Sequence, residues 1–388
     1  MNGSAVPVVV AGGFLKSFVE GLLAAVLVYL VSRPGITNWD VSLFVGAGSV
    51  AHISISLASG FLVRRIGMRR MMVFASTLPF VAVFLYVLPG LRISSLVAGN
   101  VVKGMALGVV TAVSPLLIAE HVKPGSRGRG AAYFQLSMQL GSVLGALAGT
   151  CVAWLSGDSP ERAMTADFLL MMLPGALCLV LALRLSSEER PRLPSHVAFG
   201  LAEVRRHVRP IALAIAFMTL MSATGVGVVM NYSVVILDRM GFAGVRANAS
   251  DTILRMAVIV SVLVVSRCAD RWSRFHLMRT SVALMAVGFV GAAFSAGLAF
   301  VAWLILSVVA FAVGFGVCAW VSVPMLLPAA VRSQGVSVAL FFSQVTTCAM
   351  IAFFPQVWAA FGTRLCLLAF AAVSALAFAL FGRMRNRL

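Results

Sequence analysis

Lys16 and Glu20 lie four residues apart inside an apolar run near the start of the chain. Residues at this spacing share one helix face, so an ammonium and a carboxylate placed there can form an ion pair. A carboxylate within a membrane helix is costly unless it is paired or protonated, and Glu20 is the only acid that we place deep in an apolar run. We therefore predict that Glu20 binds a proton, with Lys16 tuning its affinity. Mutual neutralisation of the two charges is the structural alternative.

Polar side chains also interrupt later apolar runs. Asn100 falls on one helix face with Lys103 beside it, and Lys103 lies too far inside its run for the ammonium to reach the membrane surface easily. Gln135 and Gln139 are again four residues apart, and amides suit hydroxyl groups because they both donate and accept hydrogen bonds. We predict that these four side chains line a cavity for a small polar solute. His52, in another run, suits helix packing or a proton relay.

The composition indicates which class of protein holds these side chains. The 388 residues are 61% hydrophobic and 11% charged, which is more apolar surface than a soluble domain can bury, so we predict a protein that crosses a membrane many times. The net charge of +18 would suit nucleic acid in a soluble protein. Here the arginines occupy short loops between apolar runs, which favours membrane orientation instead. The six cysteines occur singly, without a CxxC spacing, so we expect no disulfide framework, no metal site and no cofactor.

Apolar runs of spanning length predict an all-α membrane protein with twelve transmembrane helices. The longest polar stretch lies midway along the chain. It predicts an N-terminal six-helix bundle over 1–185, a cytoplasmic linker over 186–209 and a C-terminal six-helix bundle over 210–388. The twelve helices are predicted at residues 7–31, 41–63, 71–90, 95–119, 131–155, 166–185, 210–236, 250–268, 277–298, 300–326, 336–357 and 361–381.

The distribution of basic residues orients these helices. Of the 30 lysines and arginines, 21 lie in the even-numbered loops, the central linker and the C-terminal tail, against six in the odd-numbered loops. Because basic loops stay in the cytoplasm, both termini are predicted to be cytoplasmic. The first apolar run has no basic residue before it, so we interpret it as a retained helix and not as a cleaved signal. We expect a multi-pass protein of the plasma membrane, or of the inner membrane in a Gram-negative cell.

One segment carries a specific family resemblance. Residues 115–141 resemble the signature between the fourth and fifth helices of sugar porters, which belong to the major facilitator superfamily. This resemblance implies two pseudo-symmetric six-helix bundles that transport by alternating access around a site near the middle of the membrane. The matching residues are Pro115, Glu120, Arg127, Gln135 and Gly141.

The same resemblance implies solute-binding residues in both halves. Gln135 matches a glutamine that contacts the sugar, and Trp320 matches an aromatic residue that flanks it. Ser343 stands at a polar position of the eleventh helix, with Gln344 beside it, and Ser222 replaces one of the family's paired glutamines. Most of the hexose-binding side chains of the second half are thus replaced, so a hexose is no longer the default solute.

The cytoplasmic loops carry the remaining candidates. In the family, an aspartate after the second helix pairs with basic groups and helix ends to latch the cytoplasmic side. Arg64 replaces that aspartate in the first half, whereas Asp270 and Arg271 keep the motif in the second half. Such charges can form ion pairs between helices or cap helix ends. The predicted cytoplasmic gate consists of Glu120, Arg127, Arg65, Asp270, Arg271 and Arg332.

These features favour one function and leave two alternatives open. We expect a secondary active transporter, not an enzyme, that moves a small polar organic solute, either sugar-like or an organic carboxylate, together with protons. Because Lys16 and Lys103 outnumber Glu20 within the first half's apolar runs, a carboxylate fits better than a free hexose. The alternatives are an efflux antiporter and a non-transporting membrane sensor on a degraded transporter scaffold. The expected partners are the solute, the lipid bilayer and protons, without nucleic acid, and we expect a monomer.

Overall fold

The computed structural model describes residues 5–87, 92–121, 127–157, 159–185, 207–242, 244–268, 274–328 and 332–384. Within these ranges the chain forms fourteen α-helices and no β-strand. Nine segments of these helices are long and apolar enough to cross a membrane. The described residues therefore form an all-α membrane protein, as the sequence predicts.

The helices follow the apolar runs of the sequence. Those of the first half are α1 Ala5–Val31, α2 Asn38–Ile66, α3 Met68–Val87, α4 Ile93–His121, α5 Arg127–Ser156, α6 Pro160–Leu170 and α7 Met172–Leu183. Those of the second half are α8 Val208–Ala223, α9 Val226–Arg239, α10 Val245–Cys268, α11 Arg274–Ala293, α12 Gly297–Val313, α13 Phe315–Leu326 and α14 Arg332–Met384.

The fourteen helices correspond to twelve membrane spans, because three spans are each divided into two helices and one long helix contains two spans. The pairs α6 and α7, α8 and α9, and α12 and α13 are each one interrupted span, broken near Met171, Gly225 and Gly314. The long helix α14 contains two spans that meet at Gly362, where φ is 73°. Six spans therefore precede the central linker and six follow it, which confirms the twelve-helix prediction.

Local sequence fixes where two helices begin. Before α2, the Thr37 hydroxyl accepts a hydrogen bond from the Asp40 N–H at 3.2 Å, and the Asp40 carboxylate accepts one from the Thr37 N–H at 2.8 Å. This reciprocal capping satisfies backbone donors at the helix start. The helix α6 begins with Pro160, because a missing N–H does no harm at the first helical position. The sixth span therefore begins well before the predicted residue 166.

The contacts of the chain divide it into two compact units. The first comprises Met1–Leu193 and Ala243–Arg255, and the second comprises Pro194–Phe242 and Met256–Leu388. Each unit contains most of the helices of one half of the sequence. The short segment Ala243–Arg255 is the exception, since it belongs to the first unit although it follows the central linker.

Glycines position the first helix of the first unit. The helix α1 packs along α5, and this contact requires the absence of side chains. A Cβ atom at Gly145 would collide with the backbone of Phe18, and one at Gly149 would lie 2.8 Å from the Ala25 Cβ. Gly141, Gly145 and Gly149 thus form a packing surface on α5, as their four-residue spacing predicts.

The second unit is organised around α14, which packs against α8 and α11. Phe217, Phe315 and Phe381 form an aromatic cluster with ring centroids 5.1 to 5.5 Å apart, a separation at which aromatic pairs attract each other. The break at Gly225 needs glycine because φ there is 80° and because a Cβ atom would collide with the ring of Phe370.

Candidate solute and proton site

The ammonium of Lys16 lies 2.9 Å from both carboxylate oxygens of Glu20. Both residues are on α1, and their four-residue spacing brings them together as expected. A two-point contact between opposite charges is a strong, charge-assisted interaction. The Lys16 side chain is 13% exposed and the Glu20 side chain 38%. The Glu20 carboxylate is therefore paired, yet it remains open on one side.

Lys103 on α4 is a buried ammonium. The residue is only 7% exposed, and it forms no hydrogen bond or ion pair with any residue that the structure describes. His52 on α2 is similar, since its buried Nε2 atom has no hydrogen-bond partner within the described ranges. These two residues interact electrostatically with each other and with Lys16 and Glu20. The four residues form one ionisable cluster shared by three helices.

Close contacts between α2 and α4 place His52 near Lys103. A Cβ atom at Gly104 would collide with the backbone of Gly48, and one at Gly108 would collide with the backbone around His52. The two helices therefore run parallel and nearly touch over at least one helical turn. His52 lies about one turn further along this contact than Lys103.

The contact between α1 and α4 places Lys103 at the level of Glu20. A Cβ atom at Gly12 would lie 3.0 Å from the Val110 side chain. The helices α1 and α2 are joined by a short turn, so α1 runs opposite to α2 and hence to α4. Lys103 lies seven residues before Val110 and Glu20 lies eight residues after Gly12. Both side chains therefore project from the same level, about two turns from the Gly12 contact.

Asn100 is used for packing between helices. It has no exposed surface. Its Nδ2 donates to the carbonyl of Phe44, and its Oδ1 accepts a hydrogen bond from the Tyr86 hydroxyl at 3.2 Å. The amide thus ties α4 to α2 and α3, and because it has no exposed surface it offers no accessible group to a solute. We therefore correct its expected role from solute binding to helix packing.

The two glutamines of α5 differ in exposure. Gln135 is exposed, whereas Gln139 is half-buried. Neither amide forms a hydrogen bond with another described residue, so both keep their donors and acceptors. Their role in binding a solute stays a prediction.

In the second unit, two of the expected polar residues meet. The hydroxyl oxygens of Ser222 on α8 and Ser343 on α14 are 2.6 Å apart, and Ser343 is 6% exposed. Gln344 is exposed. Trp320 belongs to α13, but its side chain lies outside the described part of the structure. The solute-binding roles of these residues also stay predictions.

The expected cytoplasmic gate falls mostly on residues that the structure does not describe. Asp270 and Arg271 lie outside the described ranges, as do the side chains of Glu120, Arg127 and Arg332. The Arg65 side chain is exposed, and its guanidinium lies 4.8 Å from the centre of the Phe61 ring on the same helix. The gate therefore stays a prediction.

Asp167 is a buried acid that the sequence analysis missed. It has no exposed surface, and neither carboxylate oxygen has a hydrogen-bond partner in the described part of the chain. A Cβ atom at Gly149 would lie 3.9 Å from its Oδ1, and Tyr29 interacts with it electrostatically. The expectation that Glu20 is the only acid deep in a span is therefore wrong. Pro160 is the feature of the sequence that indicates this position, because proline favours the first turn of a helix. A helix that begins at Pro160 places Asp167 about two turns inside the span.

Asp251 and Arg255, four residues apart on α10, form a deeply buried ion pair. The Arg255 Nε lies 2.8 Å from the Asp251 Oδ2, with 4% and 1% of the side chains exposed. An Arg255 Nη also donates to the Ser142 hydroxyl of α5 at 2.7 Å. The hydroxyls of Thr252 and Thr150 are 3.0 Å apart. These contacts explain why the first part of α10 belongs to the first unit.

Apolar spans around a buried ionisable cluster define the class of this molecule as a multi-pass membrane protein with a polar site at membrane depth. Among the described residues, no group of three or more histidines, cysteines or acids could hold a metal ion. The sequence profile of the Major Facilitator Superfamily matches residues 9–355. The chain belongs to this superfamily.

The chain is also similar to individual sugar transporters. It is 22% identical over 382 residues to the facilitated trehalose transporter of Drosophila grimshawi, with 87% of this chain and 41% of that protein covered. It is 26% identical over 265 residues to the facilitated glucose transporter member 8 of solute carrier family 2 from Bos taurus, with 63% and 53% covered. The chain thus spans about half the length, or less, of these relatives.

Solved transporter structures share the fold. A D-xylose–proton symporter superposes with a TM-score of 0.82 at 18% identity, covering 98% of this chain and 96% of that one. A nucleoside transporter superposes with a TM-score of 0.75 at 11% identity, covering 98% and 99%. At these identities the likeness establishes the fold alone, so the solute has to be inferred from the site.

Proposed function

We propose that this protein is a secondary active transporter that moves a small polar organic solute, sugar-like or an organic carboxylate, by alternating access and together with protons. The Lys16–Glu20 pair carries the proposal, since it lies with Lys103 and His52 inside membrane helices. Ionisable residues at such depth are rare, and they mark solute and proton pathways. The relatives are named as transporters of trehalose and of glucose, and the structural neighbour as a xylose–proton symporter.

Glu20 is the proposed proton carrier. In its ionised form it is held by Lys16 at 2.9 Å. A proton on the carboxylate removes the negative charge and frees the Lys16 ammonium, so the two protonation states differ in the contacts that they make. A ligand shifts a conformational equilibrium only through such differential contacts. The exposed side of the carboxylate gives the proton a route to this group.

The remaining candidates complete the proposed transport cycle. Gln135, Gln139, Ser222, Ser343 and Gln344 offer amides and hydroxyls that suit a polar solute, and Trp320 offers an aromatic surface for it. The proposed cytoplasmic latch consists of Glu120, Arg127, Arg65, Asp270, Arg271 and Arg332.

Asp270→Asn tests the latch. We expect slower transport with unchanged expression in membranes, because the substitution removes the charge and keeps the shape. Unchanged transport rates would remove Asp270 from the latch.

The proposed arrangement in the cell follows from the distribution of charge. We propose two six-helix bundles over 1–185 and 210–388, joined by a cytoplasmic linker over 186–209. Both termini are proposed to lie in the cytoplasm, because basic loops stay on that side. We propose a monomer in the plasma membrane, or in the inner membrane of a Gram-negative cell. Light scattering of the protein in detergent, corrected for bound detergent, would contradict the monomer if it gave twice the chain mass.

Uptake by reconstituted liposomes tests the transport function. Purified protein is placed in vesicles with an alkaline interior and offered labelled xylose, glucose, lactate or glucuronate outside. We expect at least one of these solutes to accumulate above equilibrium, and a protonophore to abolish the accumulation.

Protein-free liposomes are the control for leakage. If no solute enters faster than into these liposomes, while one of them still binds the purified protein, the result contradicts transport and favours a membrane sensor. If a solute enters but never exceeds equilibrium, facilitated diffusion replaces proton coupling.

A further inference from the structure

We infer that the transported solute is a monocarboxylate and that Lys103, buried on α4 without an anionic partner in the described structure, binds its carboxylate group. This inference rests on the proposed transport function and names the solute class for the same site. It begins from an imbalance of positive and negative charge in the ionisable cluster, which consists of Lys16, Glu20, His52 and Lys103.

Lys103 carries the first part of the inference. An ammonium that is 7% exposed has lost most of its hydration, and a buried charge of this kind demands a partner of opposite sign. Within the described ranges no residue supplies one through a hydrogen bond or an ion pair. The partner is therefore expected to come from outside the chain.

Glu20 cannot fill this role while it holds Lys16. Both of its oxygens lie 2.9 Å from the Lys16 ammonium, although Glu20 also attracts Lys103 at longer range. Two ammonium groups and one carboxylate give the cluster one net positive charge when His52 is neutral. One negative charge on the solute brings the cluster to neutrality, which is why the inference specifies a monocarboxylate.

His52 supplies a second polar contact for the same solute. Its Nε2 atom is buried, and it has no hydrogen-bond partner among the described residues. It lies about one helical turn from Lys103 along the contact between α2 and α4. An imidazole nitrogen can donate to a carboxylate oxygen or accept from a hydroxyl group. A short hydroxy acid would use both residues.

A neutral sugar fits this cluster less well. Its hydroxyls can accept a hydrogen bond from Lys103, but they leave the ammonium charge without a counter-charge at a site with little access to solvent. A carboxylate offers a charge-assisted hydrogen bond, which is about twice as strong as one between neutral groups. The charge of the cluster therefore separates this chain from transporters that recognise uncharged sugars.

Matched pairs of ligands test the inference. Binding of lactate and lactamide, and of glucuronate and glucose, is measured by calorimetry on the purified protein in lipid nanodiscs. We expect at least one acid to bind more tightly than its neutral counterpart. In Lys103→Met the affinity for that acid should fall by at least about thirtyfold, because the solute's charge then lacks its partner. The affinity for the neutral counterpart should fall less than about threefold, which is within the range of a lost neutral contact.

Two further variants make the result decisive. Lys103→Arg keeps the positive charge in any environment, so it should keep the preference for the acid. Arg92→Met removes an exposed cation just before the same helix and should leave every affinity unchanged. The inference is overturned if neither acid binds more tightly than its neutral counterpart, or if the preference for the acid survives in Lys103→Met. If the liposome assay then showed proton-driven transport of glucose, the proposed transport function would stand, with a sugar as its solute.

Discussion

Lys16 and Glu20 form a two-point contact in which one ammonium lies 2.9 Å from both carboxylate oxygens. This contact occupies both oxygens of Glu20, and Lys103 at the same membrane level keeps an unpaired charge among the described residues. The cluster therefore combines a group that can take a proton with a group that can take an anion. Proton and solute recognition would then occur within one unit of the fold.

Asn100→Ala tests the corrected role of that residue. The substitution leaves the Tyr86 hydroxyl without its partner and removes the side-chain hydrogen bond to the Phe44 carbonyl, which keeps its backbone bond within α2. A buried unsatisfied group costs about 1–3 kcal/mol. We expect the free energy of unfolding, measured by denaturant titration in detergent micelles, to fall by about 2–4 kcal/mol. Tyr86→Phe removes one of the two hydrogen bonds and should cost less. Lost solute binding at unchanged stability would return Asn100 to the solute site.

Asp167→Asn tests the protonation of the buried acid of α6. An ionised carboxylate with no partner is far costlier to bury than a neutral acid, so we expect Asp167 to hold a proton. Asparagine has nearly the same shape and no charge, so the free energy of unfolding should change by less than about 0.5 kcal/mol. Accumulation driven by a proton gradient should persist. Loss of accumulation in this variant would identify Asp167 as a second coupling acid.

A double-mutant cycle tests the buried pair on α10. Asp251→Asn removes the carboxylate charge that lies 2.8 Å from the Arg255 Nε, and we expect a loss of about 3–5 kcal/mol in the free energy of unfolding. Arg255→Met should cost a similar amount, since it also frees the Ser142 hydroxyl. Removing both charges should cost less than the sum, with a coupling energy of about 0.5–3 kcal/mol. Strictly additive losses would show that the two charges do not stabilise each other.

Cysteine labelling tests the orientation in the membrane. Pro34→Cys and Arg70→Cys are introduced into a background without the six native cysteines, and intact cells are treated with a membrane-impermeant maleimide. Residue 34 should be labelled from outside and residue 70 only after the cells are opened, because basic loops face the cytoplasm. Labelling of residue 70 in intact cells would reverse the proposed orientation.

The sequence predicts the helices of this protein well, because each apolar run has to be long enough to span a membrane. The helix α1 differs from its predicted range by two residues at its start and ends at the predicted Val31. The breaks at Gly225 and Gly314 are not visible in the sequence alone, since apolar residues continue through both positions. They depend on backbone conformation and on neighbours such as the Phe370 ring.

The site was harder to predict than the fold. The Lys16–Glu20 pair is a local contact, so its spacing alone predicts it. Helical spacing is not sufficient for Asn100. Its position on the helix does not reveal that Phe44 and Tyr86, from two other helices, form hydrogen bonds with its amide. The apolar run predicts a helix that begins at residue 166, which places Asp167 at the membrane edge and not inside the span. Helix starts are set by Pro160 and by polar caps, which hydropathy does not record.

Glu20→Gln in reconstituted liposomes tests the central claim most directly. The solute that wild-type protein accumulates best is followed in two assays: accumulation driven by an inwardly directed proton gradient, and exchange of internal against external solute at equal pH. Glutamine cannot bind and release the proton, so we expect accumulation to fall to the equilibrium level while exchange continues. Lys16→Gln, Glu20→Gln removes both charges and is the control for the broken ion pair. Accumulation that survives in Glu20→Gln would contradict the account and leave Lys16 and Glu20 as a structural pair.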